Sequence, residues 1–206
     1  MIFYGDYCMI LGILQLTHNA TTLLFGVYLS AAFLGIVMKR SNILRLFGFS
    51  CATGLLYLGA FLFLGEAMTR ELYPLIVHLP LILLLVLYYK YRPLVAAISV
   101  LTAYLCCQIS NWVGIAFLTL THEQWCYYAI RIVVTVTVFL FLLLHVSDAT
   151  ARLLEKSTES LAILGIIPFV YYIFDYATNV YTSLLYSGSK VVVEFLGFVL
   201  CTTYLL

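Results

Sequence analysis

"RIVVTVTVFLFLLLH" fills residues 131–145, and "LPLILLLVLYY" fills residues 79–89. Neither stretch alternates apolar with polar positions. A membrane barrel needs strands of about ten residues with that alternation. Near-continuous apolar runs fit helices instead, which satisfy their own backbone hydrogen bonds and cross lipid in about 20 residues. The rest of the chain agrees. Of its 206 residues, 65% are hydrophobic and 9% are charged, whereas soluble domains carry roughly 25% charged residues. A fold of this size could not hide so much apolar surface from water, so the solvent must be lipid. The fold class is an all-α polytopic membrane protein in contact with membrane lipid. A net charge of +1 offers no polybasic patch for nucleic acid.

Charges punctuate the runs and predict seven transmembrane helices, at about 20–38, 44–65, 72–89, 93–119, 126–146, 160–183 and 190–206. Pro93 is well placed to open the fourth. The one strongly polar connection is "SDATARLLEKSTES" (147–160). Within it Asp148 and Arg152 stand four apart, which predicts a short helix there. Alternate connections hold Lys39, Arg40, Arg45, Lys90, Arg92, Arg152 and Lys156, against Arg70, Arg131 and Lys190 on the other side. Basic residues favour the cytoplasmic side. The expected N-terminus is therefore outside, and the chain is expected to be a multi-pass membrane protein.

Both ends raise questions. No Lys or Arg precedes Lys39, so the basic region of a signal peptide is missing. Residues 1–38 as one helix would reach about 57 Å, against a hydrocarbon core of about 30 Å. Residues 1–18 are expected to be an outer extension or interfacial helix, ahead of a seven-helix membrane domain over 19–206. The alternative is an eighth span. The final run, "VVVEFLGFVLCTTYLL", stops while still apolar, and the natural chain is expected to continue past Leu206.

Ionisable groups inside a bilayer are costly and are functional candidates by default. Helical spacing puts Tyr171, Asp175, Thr178, Asn179 and Thr182 on one face, walled by Tyr172 and Tyr176, one to two turns beyond Pro168. Two readings stand: the lining of an outward ligand pocket, or an interfacial aromatic belt with an incidental acid. Arg131, Asp175 and Glu194 all fall in the outer half, and an acid paired with Arg131 would make those charges tolerable. The candidate ligand-binding residues are thus Asp175, Asn179, Tyr171, Tyr176, Thr182, Arg131 and Glu194. Tyr104, Gln108 and Asn111 share a face of the fourth helix, and His78 lies in the third; these are candidates for interhelical hydrogen bonding. Gln15, His18, Asn19 and Thr22 form another polar stripe, read as an interfacial face.

No catalytic motif is present, and the six cysteines show no zinc spacing. No metal and no cofactor is expected. The matched pair of broken helices expected of an inverted-repeat transporter is absent too.

Two stretches, "LTAYLCCQISNWVG" (101–114) and "YYIFDYATNVYTSLLYSGSKVVVEFLGFVLC" (171–201), resemble the N-terminal membrane region of GHKL-type bacterial sensor histidine kinases. These are relatives of the peptide-pheromone receptor kinases of quorum sensing. The similarity extends along the whole chain. It implies a multi-span input domain that senses an extracellular ligand, such as a peptide. It also implies a cytoplasmic dimerising helix and an ATP-binding kinase domain, hence a homodimer in the full-length protein. The chain departs from the family in lacking a phosphoacceptor-histidine segment, an ATP-binding Asn motif and a Gly-rich lid. His18, His78, His122 and His145 all lie in or beside spans. Histidine kinase activity is therefore expected only of a longer parent. The alternative is a small-solute transporter or intramembrane enzyme using the same polar stripes.

Overall fold

The computed structural model describes residues 2–155, 158–177 and 190–205. Among these, every regular element is helical: α1 (Ile2–Phe33), α2 (Arg40–Tyr73), α3 (Leu79–Leu83), α4 (Pro93–Thr121), α5 (Gln124–His145), α6 (Ser147–Leu154), α7 (Thr158–Asp175) and α8 (Lys190–Leu205). Wider π turns, Pro74–His78 and Leu84–Tyr88, flank α3. Five stretches are long and apolar enough to cross a membrane: Met9–Phe33, Arg40–Gly65, Ala67–Tyr88, Pro93–Thr121 and Gln124–His145. Leu161–Asp175 is apolar but shorter. Phe63, Leu120 and Ile163, at 89%, 78% and 73% exposed, turn outward on surfaces that water would not tolerate but lipid does.

Several boundaries differ from expectation. The first helix does not begin near residue 20. It runs unbroken from Ile2, because nothing in residues 2–18 breaks a helix, and its candidate span is Met9–Phe33. The break between the second and third spans falls at one residue. Gly65 has φ 80 and ψ 173, a conformation open essentially only to glycine. Fully buried Thr69 donates its hydroxyl to the Gly65 carbonyl at 2.7 Å, supplying a hydrogen bond at the interrupted ladder. The polar connection after α5 forms a helix over Ser147–Leu154, as the sequence predicts, with Glu155 in a turn, and α7 is described from Thr158. The sixth connection, expected at 186–190, and the end of the sixth helix fall on 178–189, outside the described residues.

α4 is the central strut. Of its most apolar stretch 61% is buried, against 11–17% in the other four candidate spans. Pro93 opens it, and His122, in the left-handed conformation, closes it by donating its N–H to the Leu118 carbonyl. Lipid removes most of the hydrophobic drive between helices, so close packing of small side chains takes over. Ser30 on α1 and Ser99 on α4 are fully buried, and the Ser99 hydroxyl donates to the Ser30 carbonyl at 2.6 Å. Ala31, Ala96 and Ala103 extend this tight contact region.

The basic connections gather at one end of the bundle. The Tyr91 hydroxyl donates to the Leu34 carbonyl at 2.7 Å, and the Arg45 guanidinium lies 5.2 Å from the Tyr88 ring centre. At the same end a Cβ on Gly35 would lie 3.6 Å from Ala151 on α6. Burial, helped by nearby Glu155, pushes the Tyr91 hydroxyl above its ordinary pKa, so it stays protonated as a donor. The Tyr7 hydroxyl, near the start of α1, donates to Glu123 beyond the far end of α4.

Candidate functional site

α7 turns Tyr171, Asp175 and Tyr176 into the bundle, where all three are buried. The period-3.6 face read from the sequence explains Asp175 with Tyr171, and Tyr176 follows beside them. The Asp175 carboxylate accepts a hydrogen bond from the Tyr104 hydroxyl on α4. Tyr104 itself is wrapped in rings. Tyr172 lies 4.9 Å away centre to centre, His78 5.4 Å and Tyr176 6.1 Å. His78 Nδ1 and the Tyr172 hydroxyl share a hydrogen bond of 2.8 Å. Tyr73 packs edge-on against His78 at 5.1 Å, with Tyr57 behind it at 5.6 Å. The π turn Pro74–His78 delivers His78 into this cluster.

The result is a belt of tyrosines across α2, α4 and α7 that encloses one imidazole and one carboxylate. Edge-on ring pairs contribute about 0.5–1.5 kcal/mol each beyond their buried area. Hydrogen bonds to an ionised group are roughly twice as strong as neutral ones. Chemically, the cluster can hold a charge away from lipid and couple three helices through one residue. Two sets of residues that the sequence reading kept apart, Asp175 with Tyr176 and Tyr104 with His78, are brought together here. Sequence reasoning missed Tyr57 and Tyr73. Their only signal was being aromatic in a chain with 17 tyrosines.

Other candidates lie elsewhere. Gln108 is buried further along α4 and accepts from the Asn111 amide at 3.2 Å. Tyr171 borders an apolar groove of about 340 Å³ walled by Ile166, Ile167, Val170, Phe174 and Leu200. Asn179 and Thr182 are outside the described residues. Glu194 falls on α8, but its side chain is outside them as well. His18 is buried with its ring 6.0 Å from Tyr128, so this part of the N-terminal stripe faces the bundle and not an interface.

For Arg131 the expected acid partner could be Asp175 or Glu194, and the Glu194 side chain is outside the described residues. No acid among the described residues pairs with it. Its guanidinium donates to the Tyr127 hydroxyl one turn earlier and lies 5.0 Å from that ring's centre. Its stem rests on Gly114 of α4, where a Cβ would come within 2.3 Å of Cγ and 2.6 Å of Cδ. The glycine is what lets the arginine lie flat in the α4–α5 seam, and that direction takes it away from Asp175.

Among the described residues no group of three or more His, Cys, Asp or Glu side chains is placed to hold a metal ion. No protein-family model matches the chain, and comparison with curated proteins and with solved structures likewise finds no match.

Proposed function

We propose that the chain is the signal-input region of a bacterial two-component sensor histidine kinase. In this reading it crosses the cell membrane seven times, with its basic connections in the cytoplasm and its N-terminus outside. The observation that carries the reading is the buried Asp175–Tyr104 contact. A carboxylate in a lipid-solvated bundle is costly unless it serves a purpose, and this one ties α7 to the central strut. α4 also packs against α8: the Trp112 ring stacks on Phe198 with centres 4.8 Å apart. A movement of the tyrosine belt would therefore reach α8, the helix that would lead to a kinase domain. The resemblance of residues 101–114 and 171–201 to sensor kinases supports the same assignment.

An extracellular ligand that binds one packing of the belt better than another would shift the population between them, by no more than its differential affinity. The direct test has two parts. Reading the transcript past Leu206 should reveal an ATP-binding domain; a stop codon there would overturn the reading. In the full-length kinase, Asp175→Asn should leave membrane insertion near normal while ligand-dependent autophosphorylation falls sharply. An unchanged response would remove Asp175 from signalling.

A further inference from the structure

Several buried polar atoms have no hydrogen-bond partner among the described residues. Two of them, Arg131 Nε and the Thr135 hydroxyl, stand one turn apart on α5. Thr135 is 2% exposed. Most threonines within these spans return their hydroxyl to the carbonyl four residues back, as Thr137 does to Val133 at 2.9 Å. Thr135 does not. Spacing of four residues on a helix sets the two side chains on one face, about 5–6 Å apart at Cβ. That face is turned to the seam with α4, where Gly114 clears space for the arginine stem.

We propose that this seam is an oxyanion-binding site, in which the Arg131 fork and the Thr135 hydroxyl take a carboxylate or phosphate group. Three observations converge on it. A guanidinium inside a membrane helix calls for a counter-charge, and no carboxylate among the described residues supplies one. Its planar fork suits the two oxygens of a carboxylate or phosphate. The adjacent hydroxyl offers one more donor in a region of low dielectric, where such bonds are strongest. Arg131 stands seven residues into α5, about 10 Å from its start. That depth is within reach of a phospholipid headgroup or of a dissolved anion entering between the helix ends. The inference stands apart from the sensor reading, because it concerns a different seam and needs no kinase.

The test uses the purified, delipidated protein in a neutral detergent at low, constant ionic strength. Thermal unfolding is followed as chloride is exchanged for inorganic phosphate or acetate, and separately as dioleoyl-phosphatidylglycerol is added back. The wild type should gain about 5 °C at saturation. A shift in the first arm alone identifies a free oxyanion, and one in the second alone a lipid headgroup. R131Q should abolish the shift. T135V should reduce it, and G114A should reduce it by lifting the arginine stem. If R131Q does not fold, R131K is read instead: it keeps the charge but loses the fork, and should retain less than half the shift. No shift in either arm for the wild type would overturn the proposal, as would an equal shift in the Arg131 variant.

Discussion

Asp175 on α7 is met by a hydroxyl from another helix and ringed by tyrosines, whereas Arg131 on α5 has, among the described residues, a hydrogen bond only to Tyr127 on its own helix. Both side chains lie among apolar spans. The carboxyl fastens one helix to its neighbour, so its desolvation is offset by the hydrogen bond it accepts from Tyr104. The arginine is accommodated by shape, through a missing Cβ on the next helix, and part of its hydrogen-bonding capacity stays open. A charge in a membrane bundle can thus be made tolerable by saturation or by room, and the two solutions respond differently to mutation.

The largest effect is expected where saturation is broken. Asp175→Leu leaves the Tyr104 hydroxyl buried without its acceptor and should lower unfolding stability in detergent by about 1–3 kcal/mol. Tyr104→Phe in the same background should recover part of that loss, since the orphaned donor goes with it. Failure to recover any would mean that Asp175 is held mainly by other partners.

Shape comes next. Gly114→Ala drives a methyl into the Arg131 stem and should cost about 1–2 kcal/mol. Pairing it with Arg131→Ala, which removes both clashing carbons, should return most of the loss. An unaffected Gly114→Ala variant would show that the stem moves aside freely. Tyr91→Phe is the ordinary comparison, a neutral hydrogen bond from one connection to the Leu34 carbonyl just past α1, and should cost about 0.5–1.5 kcal/mol in the same unfolding assay.

The smallest expected effect bears on the comparison itself. The sequence favoured an acid–arginine pair, for which Asp175→Asn and Arg131→Gln together would rescue each other. The two residues sit on different seams, so their effects should add within about 0.5 kcal/mol. A coupling above about 1 kcal/mol would restore the pair and dissolve the contrast between saturation and room.

Much of the helical layout was legible in the sequence because lipid imposes it. Continuous apolar runs bounded by Lys39, Lys90 and Glu123 leave few alternatives, and Pro93 marks its helix start by the fixed geometry of its ring. The break at Gly65 falls where the second helix was expected to end, but charge marks a surface and not a backbone angle. α1 starts well before residue 20, because length set against bilayer thickness says nothing about whether a helix stops at the headgroups. The Tyr104–Asp175 bond joins residues 71 positions apart, and no periodicity reaches that far. Charge alone led to the expectation of an acid beside Arg131 without saying which, and the decisive feature, a glycine on the facing helix, reads in sequence as one of 12 glycines.

The turn between α4 and α5 has a consequence for biosynthesis. Only His122 and Glu123 separate the two helices. Moving an arginine into the bilayer on a lone helix costs up to about 2.5–3.5 kcal/mol on the scale set by the cell's insertion machinery. α4, which carries no Asp, Glu, Lys or Arg, leaves the ribosome first, already carrying the groove that receives the arginine stem. With so short a tether, α5 has its docking partner beside it as it emerges. The two should enter the membrane as one hairpin, the first helix acting as escort for the charge on the second.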